Sequence, residues 1–235
     1  MALILNIETT SEVCSVLLSK DDEILQKRED KEGRSHAQKL SVFINEIFEA
    51  ESIKITDLDA VSISKGPGSY TGLRIGVSTA KGLCYGANLP LISVHTLQAL
   101  AQGLLNNETR IKGRISDSDL LAPMIDARRM EVYTAVLNKK NEFVRDVFSE
   151  ILDEHSFEDL LDEHRVIFFG NGVEKTRKII QHPNAYFVDW VDFSANHMTS
   201  LSENKYNNKI FEDIAYFEPF YLKDFHATKP KNKFF

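Results

Sequence analysis

The fold of this chain is decided by a stretch that occurs twice, as Ile7-Glu8-Thr9-Thr10-Ser11-Glu12-Val13-Cys14-Ser15-Val16-Leu17 and as Ile125-Asp126-Ala127-Arg128-Arg129-Met130-Glu131-Val132-Tyr133-Thr134-Ala135-Val136. Each copy begins with a strand that ends in a carboxylate, makes a tight turn and returns as a second strand. An internal repeat indicates a duplicated architecture, whereas the alternative is that two ordinary hairpins are similar by chance. Each copy stands at the start of its own half of the 235 residues, which favours duplication of an α/β unit.

The residues after the first copy predict the rest of one such unit. From Ser35 onward, apolar residues recur at helical spacing, and Ser35 with Gln38 has the pattern of a capping box. That stripe consists of Leu40, Phe43, Ile44, Ile47 and Phe48. Residues 60–64 predict a strand that runs through a glycine-rich turn into a helix over residues 71–85. The other elements predicted in this half are a strand at 24–28, a strand at 89–94 and a helix at 97–105.

The second half follows a polar stretch, residues 106–119, which is the best candidate for a linker. Residues 121–137 predict a strand, a turn and a strand. The weaker patterns beyond predict strands at 143–148, 166–169 and 218–223 and helices at 156–163, 173–180 and 193–211. We therefore predict an N-terminal lobe at residues 1–105, a C-terminal lobe at 119–225 and a basic tail at 226–235.

The composition is that of an ordinary globular protein, with 43% hydrophobic and 27% charged residues. Because the formal net charge is −7, strong RNA binding by this chain alone is not favoured. No apolar run approaches the roughly 20 residues needed to cross a bilayer, and no secretory signal is evident. Cys14 and Cys84 lie in apolar segments without CxxC spacing, which predicts reduced, buried thiols in the cytoplasm.

The first candidate for chemistry is Glu8-Thr9-Thr10, at the end of the first strand. A carboxylate beside two hydroxyls can hold a hydrated divalent ion and the phosphates of a nucleotide. Phosphate loops usually contain glycine, and none stands between Ile7 and Val13. The alternative, which we favour, is that these side chains satisfy the hydrogen bonds of a turn.

The second candidate is the glycine-rich run from Gly66 to Gly86. Its first turn leads either to a helix N-terminus that could receive an anion or to a plain strand–helix turn capped by Ser69. In the helix, small residues recur at every fourth position and leave one side nearly bare: Gly72, Gly76 and Ala80. Each interior glycine costs about 1 kcal/mol relative to alanine, so this side must allow a close approach. The sequence leaves two occupants open, the protein's own sheet or the helix of a partner.

Several common catalytic motifs are absent from the sequence. There is no GxSxG elbow, HExxH, GxGxxG or glycine-rich phosphate loop with Gly-Lys-Ser/Thr. The seven histidines show no metal-ligand spacing, and we predict a structural role for His95. A metal or nucleophile is therefore not expected.

Three motifs carry a resemblance to a known family. They are Leu3 to Thr10 followed by Ser15-Val16, the string Gly66-Pro67-Gly68-Ser69-Tyr70-Thr71-Gly72-Leu73-Arg74-Ile75-Gly76, and Ile125-Asp126-Ala127-Arg128 followed by Glu131-Val132-Tyr133. Together they closely resemble the TsaB (YeaZ) proteins. The glycine-rich string is highly specific, and the other two motifs are supportive. The resemblance is close in the first half of the chain and loose in the second.

The resemblance implies two actin-like (ribonuclease H-like) lobes, the second reduced. It also implies a role in the bacterial complex that attaches a threonylcarbamoyl group to adenosine next to the anticodon of tRNAs reading codons that begin with A. In that complex TsaD holds the metal and transfers the group, TsaE is an ATPase, and TsaB is a scaffold that TsaD needs. The expected partners are a TsaD-like subunit and a TsaE-like ATPase, with tRNA reached only through the complex. A homodimer is expected when the chain is alone, because an apolar partner surface must be covered.

The resemblance also implies which residues do this work. The TsaD contact would use the helices at 35–48 and 71–85, with interface residues Ser69, Thr71, Gly72, Arg74, Gly76, Leu40 and Ile44. A vestigial nucleotide site would use Glu8, Thr9, Thr10 and Asp126, with ATP or ADP at the partner interface and no required cofactor. Thr96 and Leu100 stand where TsaD-like proteins carry a metal-binding His pair, so no catalytic residue is expected. The alternative is a stand-alone ATP-dependent kinase or metallopeptidase of the same superfamily.

Overall fold

The computed structural model describes residues 2–33 and 35–223 of the chain. The first five strands form one sheet in the order β3-β2-β1-β4-β5. They are β1 (Leu3–Glu8), β2 (Cys14–Lys20), β3 (Glu23–Asp30), β4 (Ala60–Ser64) and β5 (Leu91–Val94). Strand β1 pairs antiparallel with β2 and parallel with β4. The two parallel neighbours β4 and β5 are buried along their whole length, as expected of strands covered on both faces.

The second sheet repeats this arrangement strand for strand, in the order β8-β7-β6-β9-β10. It contains β6 (Leu120–Asp126), β7 (Glu131–Leu137), β8 (Phe143–Ile151), β9 (Val166–Phe169) and β10 (Ala185–Val188). Here β6 occupies the place of β1, antiparallel to β7 and parallel to β9. The fold is therefore the predicted duplicated, two-lobed actin-like α/β fold.

Helices cover the sheets unevenly. On one face of the first sheet lie α1 (His36–Glu51) and α2 (Tyr70–Ala87), whose apolar stripes join the core of that lobe. The second sheet is flanked by α3 (Thr96–Leu105) and by the short α4 (Glu158–Leu161) and α5 (Val173–Ile179). Helices of 4 and 7 residues stand where the first lobe has 16 and 18, which confirms that the second lobe is reduced.

After the second sheet the described chain returns to the first lobe, so not all of the range 119–225, predicted as the C-terminal lobe, packs with the second sheet. Helix α6 (Thr199–Asn207) packs against the first sheet, where the hydroxyls of Ser62 and Ser202 lie 2.7 Å apart. Its Tyr206 covers a small apolar cluster on the face opposite α1 and α2. Sequence patterns missed this return because α6 has only a weak apolar stripe. The predicted tail at 226–235 lies outside the described residues.

Three further predictions about local structure are wrong. Residues 218–223 form no strand, because Phe220 donates a single backbone hydrogen bond to Lys65 and no ladder follows. The predicted helix at 193–211 divides into a short 3-10 helix (Ala195–His197) and α6. Ser35 does precede α1, but its hydroxyl bonds the carboxylate of Asp30 and not the helix N-terminus.

Both cysteines are free and buried, as predicted. Burial raises the pKa of Cys14 to about 11 and that of Cys84 to about 12. No helix in the described part of the chain is both long and apolar enough to cross a membrane.

Candidate functional site

In the turn between β1 and β2, the polar side chains form hydrogen bonds within the turn itself. The Glu8 side chain is fully buried, and its Oε1 accepts hydrogen bonds from the backbone N–H and the hydroxyl of Thr10. Burial raises the pKa of the Glu8 carboxyl, while the bonds from Thr10 and Ser64 oppose that rise. The predicted nucleotide-binding carboxylate is thus already engaged by the turn that it belongs to.

Helix α2 begins directly against this turn. Ser69 caps it by accepting from the N–H of Gly72, and the backbone N–H of Ser69 donates to the carbonyl of Thr10 at 2.7 Å. A Cβ at Gly68 would stand 2.3 Å from that carbonyl oxygen. The glycine-rich turn therefore packs against the protein's own hairpin, and of the two alternatives left open for this turn the structure shows the one capped by Ser69.

Two glycines of α2, Gly72 and Gly76, face the protein's own hairpin. Thr9 lies on the bare side of the helix, with its hydroxyl donating to the carbonyl of Gly72 at 2.9 Å. A Cβ at Gly72 would stand 2.0 Å from the Thr9 carbonyl oxygen, and one at Gly76 would stand 2.2 Å from the Thr9 hydroxyl. Gly72 and Gly76 therefore face the internal hairpin and leave no open surface for a partner, which argues against their predicted place at an interface. The same correction applies to Leu40 and Ile44, whose side chains are buried in the core of the first lobe.

The exposed side of α2 carries two of the predicted interface residues, Thr71 and Arg74, beside positions that the sequence did not single out. We define the outer face of α2 as Thr71, Arg74, Ser78, Gly82, Tyr85 and Gly86, all of which are exposed. Among residues 2–33 and 35–223, a Cβ at Gly82 or Gly86 would meet nothing within 4 Å, so no contact in this part of the chain explains either glycine. Tyr85 beside them is 85% exposed. The spacing of Gly82 and Gly86 by four residues was the available signal.

The C-terminal segment, residues 217–223, joins the start of α2 to the second lobe. Phe220 reaches Lys65 through its backbone, and a Cβ at Gly66 would stand 2.6 Å from the Phe220 carbonyl oxygen. The ring of Tyr221 lies 5.0 Å from that of Tyr70, which also carries the guanidinium of Arg74 over its face. Arg74 is thus exposed but positioned, with its Nε 3.4 Å from the Tyr221 hydroxyl. At the end of the segment, Lys223 forms an ion pair with Glu131.

The second hairpin differs from the first in being open to solvent. Asp126, at the end of β6, has a half-exposed side chain that accepts from the Arg128 backbone and from Lys175, each at 2.7 Å. Asp126 is therefore partly exposed, whereas Glu8, Thr9 and Thr10, the other residues of the predicted nucleotide site, are buried. Among the described residues, no group of three or more His, Cys, Asp and Glu side chains is placed to hold a metal ion.

His95 lies between the lobes at the start of α3. Its ring contacts Phe143 of the second lobe and Phe220 of the C-terminal segment, both edge to face. Burial, together with the nearby charges of Lys65 and Lys205, lowers the pKa of His95 to about 4. These contacts support the structural role predicted for His95.

Fold and site together define a class, namely two-lobed actin-like proteins whose first hairpin is filled by the protein's own side chains. The family model described as "TsaD: tRNA N6-adenosine threonylcarbamoyltransferase" matches residues 25–231. The chain belongs to that family and, within it, to the TsaB (YeaZ) proteins.

The relatives agree with this assignment. The chain is 27% identical over 239 residues to the tRNA threonylcarbamoyladenosine biosynthesis protein TsaB of Haemophilus influenzae, covering 94% of this chain and 93% of that one. It is 38% identical over 134 residues to TsaB of Escherichia coli, a match that spans 56% of this chain and 53% of that protein. A crystal structure from Pseudomonas aeruginosa, described as similar to peptidase YeaZ, superposes with a TM-score of 0.81 at 22% identity and covers 95% and 100% of the two chains. That last similarity shows the fold alone.

Proposed function

We propose that this chain acts in tRNA threonylcarbamoyladenosine biosynthesis as a non-catalytic subunit that binds and activates a TsaD-type transferase. The names of its TsaB relatives support the process, and the match to the TsaD family model supports a fold that can pair with a paralogous subunit. A TsaE-type ATPase would be a further member of the complex.

The observation that carries the proposal is the outer face of α2. Gly82 and Gly86, at exposed positions of α2, each weaken the helix by about 1 kcal/mol relative to alanine, and no contact from the described residues uses the space they leave. A backbone bared in this way allows another helix to approach closely. The exposed ring of Tyr85 supplies the aromatic anchor that is enriched at protein interfaces.

Two positions of α3 support a non-catalytic role. Thr96 and Leu100 stand where TsaD-like proteins carry a metal-binding His pair. Thr96 is buried, and its hydroxyl lies 2.9 Å from that of Ser64. Leu100 is buried in the apolar core between α3 and the second sheet. Both side chains therefore belong to the packed interior of the protein.

Nucleotide binding is a separate proposal. ATP or ADP at the partner interface would have Asp126 as its one exposed ligand among the four predicted residues, because Glu8, Thr9 and Thr10 are buried. We therefore expect any nucleotide to require the partner, and isothermal titration of the chain alone and of the complex would test this.

The test of the function is a binding titration between this chain and its cognate TsaD-type subunit. Gly82→Arg places a long charged side chain on the outer face, where the helix itself has room for it. We expect this variant to keep its thermal stability and to lose at least tenfold in affinity for the subunit. Asn204→Arg, at an exposed position of α6, is the matched control and is expected to bind as wild type does.

Two other outcomes would be decisive against parts of the proposal. If Gly82→Arg binds as tightly as wild type, the outer face of α2 is not the interface. If wild type itself fails to bind while the purified chain hydrolyses ATP, the scaffold function is wrong and a stand-alone enzyme takes its place.

A further inference from the structure

The loop between β6 and β7 presents two arginines in an unusual backbone conformation. Arg128 and Arg129 have φ angles of 70° and 50°, and both side chains are exposed. Left-handed backbone is costly for any residue other than glycine and, to a lesser degree, asparagine or aspartate. Two successive arginines therefore occupy positions where local folding alone would favour small residues.

A lysine beneath the loop holds this conformation. The Nζ of Lys175, whose side chain is only 17% exposed, donates to the carbonyls of Arg129 and Glu131 and to the carboxylate of Asp126. The same carboxylate accepts from the backbone N–H of Arg128 at 2.7 Å. The loop is thus supported from within the lobe, and its support involves the backbone of the arginines but not their guanidinium groups.

The charges of the hairpin leave both guanidinium groups uncompensated. Asp126 is paired with Lys175, and Glu131 is paired with Lys223. Neither hydrogen bond nor ion pair joins the side chain of Arg128 or Arg129 to another described residue. Other arginines of this lobe are paired with carboxylates, as in Arg145–Asp159, Arg165–Asp119 and Arg177–Asp189. In a chain of net charge −7, this is an isolated cationic point.

We propose that Arg128 and Arg129 bind phosphates of the RNA substrate when this chain is part of its complex, an inference that rests on the proposed function. Guanidinium groups match phosphate geometry and stay charged at every physiological pH. A phosphate contact requires only a charged point, whereas a stable protein interface requires about 800 Å² from each partner. A hairpin tip of three exposed residues fits the first requirement better than the second. Arg74, which contacts Tyr221 of the adjoining C-terminal segment, adds a further positive charge that has no carboxylate partner among the described residues.

The test measures tRNA affinity of the complex at several salt concentrations, with wild type and Arg128→Asn/Arg129→Asn. Asparagine tolerates the left-handed backbone, so this variant is expected to melt no lower than wild type. If two phosphate contacts are lost, the affinity should fall about tenfold or more near 0.15 M salt, and the slope of log K against log[salt] should decrease by about 2. Arg128→Lys/Arg129→Lys should retain most of the slope.

The control is Arg145→Asn/Arg177→Asn, which makes the same change in net charge elsewhere on the same lobe and should leave the slope nearly unchanged. Unchanged tRNA affinity in the Arg128/Arg129 variant, with the complex intact, would overturn the proposal. Loss of the complex itself in that variant would also overturn it and assign the arginines to an acidic protein surface. If wild type forms no complex, the proposed function fails separately, and the same titration with the chain alone decides whether these arginines contact RNA.

Discussion

His95 shows how a single residue depends on the contact between the lobes. Its Nδ1 is buried without a hydrogen-bond partner among the described residues, and its ring is enclosed by Phe143 and Phe220. The folded protein therefore keeps this imidazole neutral at pH values at which the unfolded chain protonates it. Stability that depends on the neutral ring is complete above the ordinary pKa of 6.5 and is lost as the pH falls toward 4.

The lowered pKa of His95 leads to a prediction for how the free energy of unfolding depends on pH. Between pH 7 and pH 5 wild type should lose about 2 kcal/mol through His95 alone, because the unfolded state takes up a proton that the folded state excludes. His95→Phe keeps an aromatic ring at the site and should remove that part of the pH dependence. Urea unfolding at the two pH values measures it, with His155→Phe at an exposed position as the control. Equal pH dependence in wild type and His95→Phe would contradict the assignment.

At the scale of the element, α2 is a helix with two unrelated groups of glycines. Gly72 and Gly76 make room for Thr9 of the first hairpin, whereas Gly82 and Gly86 face open space. The same residue type at the same spacing therefore has an internal explanation at one end of the helix and none at the other.

The same substitution should consequently have opposite effects at the two ends. Gly76→Ala should destabilise the protein by about 1–3 kcal/mol, because its Cβ overlaps the Thr9 hydroxyl and lies 3.0 Å from Ile63. Gly82→Ala should stabilise it by up to about 1 kcal/mol through helix propensity alone. Thermal or chemical unfolding of the two variants tests this, and a similar change in both would mean that Thr9 does not fill the bare side of the helix.

At the scale of the whole molecule, the two lobes are joined in several places. The C-terminal segment connects α2 to Glu131, and α6 returns to the first sheet. Helix α3 is fixed to the second lobe, where the side-chain amides of Gln98 and Asn141 each donate to the backbone carbonyl of the other residue. These connections leave the outer face of α2 uncovered by the described part of the chain. The homodimer expected from the sequence would cover this face in the absence of a partner, and it stays a prediction.

If one face serves both associations, they should exclude each other. Light scattering of the isolated chain should show a concentration-dependent dimer that Gly82→Arg weakens, and an excess of the TsaD-type subunit should dissociate it into a heterodimer. A dimer that persists in Gly82→Arg, or that binds the subunit without dissociating, would place the two contacts on different surfaces.

The amino-acid sequence by itself determined the duplicated architecture, because strand alternation, turn residues and helical stripes are local properties, and the two hairpins carry them in the same order. It also determined that α2 needs a close neighbour, since glycine inside a helix has a known cost wherever it occurs. Which neighbour fills that space was decided only by the tertiary structure. Thr9 is 63 residues from Gly72 along the chain, and no local pattern records that contact.

The same limit explains why Leu40 and Ile44 proved to be core residues and why Arg129 was overlooked. An apolar stripe has the same spacing whether it faces its own sheet or a partner, and two arginines in a loop become distinctive only when their φ angles and missing ion partners are known. Burial and charge pairing are properties of residues brought together from distant parts of the chain. For that reason the fold could be predicted from the sequence, whereas the division of α2 into an inner and an outer face required the structure.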